Sequence, residues 1–146
     1  MELRLAEERD LETVAQLEQT FAFPLSEEEL HKLLQNDTFR IIIWKNEDNI
    51  LGHCVLFRVM DEAEITSFTV RGDLRGKGIG TDFLTALLQY LKQDGAKIAY
   101  LDVRESNTAA RKLYQKCGFS ELGRRKRFYQ KPVEDAIGMG IELQNR

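Results

Sequence analysis

The chain has 146 residues, 42% apolar and 31% charged, with 21 basic against 24 acidic side chains. That length fits one domain, expected to span residues 1–146, and is enough to bury a core without staples. A formal net charge of −3 lacks the basic excess of nucleic-acid binders, so no direct nucleic-acid binding is expected. The longest apolar runs, such as Ile41 to Trp44, are four residues, far short of the roughly 20 residues of a membrane span, and the charged start from Met1 to Asp10 predicts no signal peptide. Cys54 and Cys117 are the only cysteines. Their separation gives neither a metal motif nor a disulfide framework, so they read as reduced, packed thiols of a cytoplasmic protein. His31 and His53 are the only histidines, which supplies a zinc site or a Ser-His-Asp triad poorly; no metal is expected.

The near-neutral total hides two opposed regions. Residues 1–37 carry three basic and ten acidic residues, a net of −7, and Arg104 to Lys131 carry nine basic and two acidic, a net of +7. Such separation suits either two differently solvated surfaces or two binding faces.

Glu2 to Ala6 alternates around Leu3 and Leu5 and reads as a short strand. Leu11, Val14, Ala15 and Leu17 recur at helical spacing, with Pro24 expected to break that helix. Ser26 and Glu29 form a capping box that opens a second helix carrying Leu30, Leu33 and Leu34. Phe39–Lys45 and Ile50–Val59 are β-rich and joined by an Asn46–Asn49 turn; Glu64–Val70 is a third β run. Ile79, Phe83, Leu84, Leu87, Leu88 and Leu91 then form one helical stripe that Gly95 ends. Ile98–Val103 is a buried strand, and Ser106 is expected to open a helix with Ala109, Ala110, Leu113 and Tyr114 facing inward, closed by Gly118. Phe119–Gln130 and Glu134–Leu143 read as a final β pair. The order is β-α-α-β-β-β-α-β-α-β-β.

Between a strand and the long helix lies Val70-Arg71-Gly72-Asp73-Leu74-Arg75-Gly76-Lys77-Gly78-Ile79-Gly80-Thr81. Glycines let the backbone turn sharply and approach a ligand. The first amides of the helix have no internal acceptors, and the macrodipole favours an anion there. With Arg75 and Lys77 added, the stretch reads as a pyrophosphate cradle. A P-loop fits poorly, because Gly78 and not Ser or Thr follows Lys77. The dinucleotide pattern G-x-G-x-x-G fits poorly too, because its third glycine falls on Thr81. A purely structural turn remains the alternative.

Arg75-Gly76-Lys77-Gly78-Ile79-Gly80 resembles the R/Q-x-x-G-x-G/A signature of the GNAT superfamily of N-acetyltransferases, in which this turn binds the pyrophosphate of acetyl-CoA. The element order matches that fold, and so do Leu101–Asn107 and Leu113–Phe119, which are similar to its later V-x-x-x-N and L-Y-x-x-x-G-F stretches. The resemblance implies an α/β (α+β) fold with one mixed, mostly antiparallel sheet of about seven strands flanked by four helices. Within the superfamily the chain most resembles the RimI-type ribosomal-protein-alanine N-acetyltransferases, nearly end to end. Leu17–Ser26, Asp102–Tyr114 and Arg125–Tyr129 followed by Glu134-Asp135-Ala136 carry that resemblance. It implies acetylation of the N-terminal α-amine of a protein or peptide, in that family a ribosomal protein.

Acetyl transfer needs the amine deprotonated, the thioester carbonyl polarised and the leaving thiolate protonated. It needs no enzyme nucleophile. By resemblance Tyr114 is the acid; a packing role alone would suit phenylalanine as well. The base is open between Asp102, Glu64 and a water relay. RimI-type enzymes carry glutamate at the place of Asp102, which is one methylene shorter, roughly 1.5 Å. Glu64 occupies the place used by the base of the histone-acetylating branch, and simple alternation puts Glu64, Thr66, Phe68 and Val70 on one side. The resemblance also assigns Phe68, Thr69 and Val70 to the acetyl and pantetheine arm, Gly76 to Thr81 to the phosphates, and Asn107 to a side-chain contact with the coenzyme. Asn107 beside Ser106 equally suits a helix start.

The acidic first two helices suit a cationic acceptor; Arg124-Arg125-Lys126-Arg127 either repels one, lies away from the groove as a plain charged hairpin, or meets ribosomal RNA or a CoA phosphate. Leu25 and Phe128 replace residues usual in RimI-type enzymes. Besides an α-amine acetyltransferase, the sequence leaves open an enzyme for a small amine, polyamine or lysine, and an acetyl-CoA sensor with little turnover.

Overall fold

Alternation along Ile41-Ile42-Ile43-Trp44 decides how the sheet divides the molecule, because successive strand side chains point to opposite faces. Ile41 and Ile43 pack with Leu11, Val14 and Leu30, whereas Ile42 and Trp44 pack with Phe83, Leu84 and Leu87. The sheet therefore lies between two helical layers. Helices α1 (Leu11–Glu18) and α2 (Glu27–Leu34) cover one face; α3 (Ile79–Gln93) and α4 (Thr108–Lys116) cover the other. This computed structural model describes residues 1–143; the last three residues of the expected domain lie outside the described residues.

The strands are β1 (Glu2–Leu5), β2 (Phe39–Lys45), β3 (Ile50–Val59), β4 (Glu62–Val70), β5 (Ile98–Arg104), β6 (Ser120–Tyr129) and β7 (Glu134–Glu142), in the spatial order β1-β2-β3-β4-β5-β7-β6. Neighbours run antiparallel except β4 and β5, whose parallel pairing needs the α3 crossover between them. Element order, strand number and helix number match the expected fold.

Two helix boundaries differ from expectation. α1 ends at Glu18, six residues before Pro24, because the amides of Gln19, Thr20 and Phe21 turn back onto the carbonyls of Gln16, Leu17 and Glu18. The chain closes its own last turn, so proline is not what stops the helix. α4 is capped by Asn107, whose side-chain oxygen accepts the Ala110 N–H at 3.1 Å. Ser106 does not cap; it lies one residue outside the cap, with its N–H bonded to Glu134 Oε2 at 2.5 Å. The Ser26–Glu29 box forms as read, with reciprocal bonds of 3.0 and 3.1 Å; such caps contribute about 1 kcal/mol.

A bulge in β4 corrects a further expectation. Val55 pairs with Ser67 but the next residue, Leu56, pairs with Ile65, so Thr66 is the extra residue. Side chains of directly opposed residues share a face. Glu64, opposite Phe57, therefore shares the α1–α2 face with Ser67 and Thr69, and lies opposite to Phe68 and Val70. The side common to Glu64, Thr66, Phe68 and Val70 does not exist.

Candidate active site

The parallel pair opens where the bulge sits. β4 and β5 are bonded only from Glu62–Ile98 to Ile65–Leu101; beyond that, Asp102, Val103 and Arg104 pair with β7 alone, and Ser67 to Val70 pair with β3 alone. The facing edges lose their ladder partners and diverge. A cleft of about 790 Å³ fills the gap. Its lining includes Glu18, Leu25 and Leu33 from the α1–α2 layer and Ala110 and Tyr114 from α4, so it passes through the sheet from one face to the other.

On the α3–α4 side, Tyr114 is held by an aromatic chain. Trp44 stacks on Phe83 at 5.6 Å, Phe83 on Phe68 at 4.8 Å, and Tyr114 meets Phe68 edge-on at 6.3 Å and Phe119 at 5.6 Å. Each such pair adds about 0.5–1.5 kcal/mol beyond area burial. Burial also pushes the Tyr114 phenol well above its ordinary value, so it stays protonated at neutral pH. Phe68 and Thr69 line the cleft; Val70 is buried at the strand exit, opposite Gly52. Asn107 lines the cleft as well. Its oxygen is committed to the α4 cap, which leaves its amide N–H groups for a ligand.

The glycine turn stands at the mouth. Arg75 lines the cleft, and residues 76–81 run from it into the first turn of α3. Gly76 and Gly78 take φ +80° and +81°, a region closed to most side chains, while no atom lies within 4 Å of where a Cβ would stand on either. The glycines are required by conformation, and the space beside them is open. Asp82 is the first residue of α3 whose amide finds a helical acceptor, Gly78 O at 3.1 Å. The amides of Ile79, Gly80 and Thr81 precede it at the positive end of a 15-residue helix. Open space, free amides, Arg75 and Lys77 fit a diphosphate.

On the α1–α2 side, Asp102 lines the cleft from β5, with its carboxylate 3.8 Å from Arg125 Nε. Tyr129 stands nearby; burial and then the Asp102 charge push its phenol up to about 12. Arg104 stacks 4.6 Å from the Tyr129 ring and bonds Gln130 O, Pro132 O and Glu134, tying the β6–β7 hairpin to β5. Glu64 pairs with Tyr100 where β4 and β5 are still joined, below the opening, and is not among the residues lining the cleft. Burial raises the Cys54 and Cys117 thiols, which suits packed side chains and not nucleophiles.

Sequence reasoning missed Glu18 and His53. Both are buried, and Glu18 Oε2 lies 2.5 Å from His53 Nε2. Burial pushes the Glu18 carboxyl up, but hydrogen bonds from His53, the Leu25 N–H and Ser67 outweigh it and hold the group below the usual glutamate value. A signal existed: Glu18 falls on the stripe of Leu11 and Val14, at i+7 and i+4, where an acid is out of place.

The sheet is thus split at its parallel pair, and beside the glycine-capped helix a cleft lined from both faces passes through it. A family model described as the Acetyltransferase (GNAT) family matches residues 6–119. The chain belongs to that family and is an N-acetyltransferase. It is 31% identical over 142 residues to the [ribosomal protein bS18]-alanine N-acetyltransferase of Escherichia coli K12, covering 94% of each chain. To the enzyme so named in Haemophilus influenzae it is 37% identical over 99 residues, 66% of this chain and 67% of that one. The crystal structure of the ribosomal-protein-S18-alanine N-acetyltransferase from E. coli superposes with a TM-score of 0.88 at 28% identity, covering 99% of this chain and 95% of that one. A spermidine N-acetyltransferase from Vibrio cholerae, solved with CoA and spermine, shares the fold at 24% identity, with a TM-score of 0.84 and coverage of 97% and 95%. Among the described residues, no helix is long and apolar enough to cross a membrane.

Proposed function

We propose that the protein transfers acetyl from acetyl-CoA to the N-terminal α-amine of a peptide beginning with alanine, in the cell a ribosomal protein. What carries this reading is similarity to the E. coli bS18-alanine enzyme along 94% of both chains, together with a cleft open on both sheet faces. The donor occupies the α3–α4 side, and the acceptor enters from the α1–α2 side. Bound acetyl-CoA supplies the thioester: the acetyl C–S bond breaks and sulfur leaves with its electron pair.

The chain's own residues do the rest. The amides of residues 79–81, with Arg75 and Lys77, hold the diphosphate. The unpaired edge of β4 from Thr66 to Val70 orients the acetyl arm along the strand. Asp102 removes the amine proton, directly or through a water that makes up for the shorter side chain. Tyr114 donates its proton to the leaving sulfur. Its raised pKa does not forbid this, because the same desolvation makes the departing thiolate more basic. The acidic surface of α1 and α2 draws in a cationic peptide.

Incubation with acetyl-CoA and a basic peptide starting with alanine tests the proposal. Rapid release of coenzyme thiol is expected, lost when the peptide α-amine is blocked. Turnover only on polyamines or lysine side chains would replace the acceptor, and coenzyme binding without turnover on any amine would make the protein a sensor.

A further inference from the structure

The apolar face of a two-turn helix is a poor place for a carboxylate. Glu18 is nevertheless 1% exposed and His53 0%. Replacing a buried ion pair by well-packed apolar residues is often neutral or stabilising, so stability alone does not account for the pair. Its contacts show what it holds. Glu18 Oε1 accepts the Leu25 N–H at 3.0 Å, while Oε2 faces His53 Nε2 on β3; the Ser67 hydroxyl on β4 further favours the charged carboxylate. His53 Nε2 is the donor in its contact with Glu18, because a carboxylate has no proton to give, and His53 Nδ1 is buried with no partner among the described residues.

The segment from Gln19 to Leu25 is the wall of the cleft on the α1–α2 side, through Thr20, Phe21, Ala22, Phe23 and Leu25. Past the turn bond from Phe21 N–H to Glu18 O, no backbone-to-backbone bond secures it before α2. Pro24 has no N–H to give. The Leu25 N–H is therefore the tie at the far end of this wall, and it is made to a side chain at the near end. The Phe21 ring meets His53 edge-on at 6.3 Å, and Phe23 reaches across to Lys131, whose Nζ lies 5.9 Å from its ring centroid.

We propose that Glu18, braced by His53, is a positioning residue for the acceptor: it sets the place of the 19–25 wall and so the affinity for the first residues of the acceptor peptide, without acting on the donor site. This rests on the assignment of the α1–α2 side to the acceptor. A wall whose far end is tied by one side chain shifts at that end when the side chain is cut, while the β4 edge and the glycine turn, held by strand pairing and helix geometry, stay in place.

The test measures kcat and KM for the alanine-starting peptide, coenzyme A affinity by calorimetry and thermal unfolding, on the full chain and on Glu18→Ala, Glu18→Gln and His53→Gln. Glu18→Ala is expected to raise the peptide KM about tenfold or more, the loss of a charge-assisted hydrogen bond, with kcat within threefold and coenzyme affinity within twofold. Glu18→Gln keeps an oxygen for the Leu25 N–H and recovers most of that KM. His53→Gln keeps an N–H donor toward Glu18 and falls between. If Glu18→Ala does not fold, Glu18→Gln and His53→Gln, with Ser67→Ala, carry the same ordering in KM. An unchanged KM in these variants overturns the inference, as does a fall of kcat, coenzyme affinity and melting temperature in step. If the wild-type protein itself turns over no peptide, the functional reading fails and this inference with it; turnover with an unmoved KM removes this inference alone.

Discussion

The turn at residues 75–81 and the wall at residues 19–25 border the same cleft, yet they are held in different ways. The turn is shaped from within, by two glycines at positive φ and a helix that follows at once. The wall is shaped from outside, by a carboxylate on the preceding helix, a histidine from β3 and a serine from β4. A locally encoded element keeps its form whatever packs beside it. A tertiary element depends on partners far along the chain, and substitution there alters what it recognises. On the proposed reading, the donor end is of the first kind and the acceptor end of the second.

The largest expected effect lies where the two ends meet. Tyr114→Phe removes the proposed proton donor and leaves its aromatic contacts, so kcat should fall by about 10²–10⁴, with coenzyme affinity nearly unchanged. Asp102→Asn should lose about 10² and Asp102→Glu should keep activity, while Glu64→Gln, outside the cleft, should stay within about twofold of wild type in a thiol-release assay. Equal losses in Asp102→Asn and Glu64→Gln would return the base to β4 below the bulge.

A smaller effect separates the donor end from the rest. Gly78→Ala places a Cβ at φ +81°, a strain of about 1–2 kcal/mol. Coenzyme A should bind roughly five- to thirtyfold more weakly by calorimetry, with the peptide KM unmoved. A variant that binds normally would mean that the turn does not grip the diphosphate.

The smallest is a pH dependence at the acceptor end. Glu18 is held below its ordinary value of 4.5 in the folded protein. A depressed carboxylate contributes stability that is present above the unfolded value and lost as pH falls through the folded one. The stability gap between wild type and Glu18→Gln in urea titrations should therefore be open at pH 7 and narrow below about pH 4. A gap that widens on acidification would show that the carboxylate is not stabilised by its partners.

Much of the molecule was legible because its signals are local. The Ser26–Glu29 box, the stripe from Ile79 to Leu91 and the glycine turn each involve residues within a few positions of one another, and each takes the expected form. Asn107 against Ser106 was a contest between neighbours: the Asn107 side chain takes the cap, while the Ser106 N–H is held by Glu134 from 28 positions away. The bulge at Thr66 has no local mark; it appears only in the register of β4 against β3, and it moved Glu64 to the other face from Phe68. Glu18 and His53 were each visible as polar residues at apolar positions, but 35 positions separate them, and neither names the other.

By itself the sequence determined the succession of strands and helices and the form of the glycine turn, because periodicity, caps and positive-φ glycines act over a few residues, and its resemblance gave the acetyltransferase family. Only the tertiary structure decided where the sheet splits, which carboxylate stands in the split and what holds the acceptor wall. Those depend on strand register and on a buried polar pair, and both come into being only when distant segments pack together and leave water.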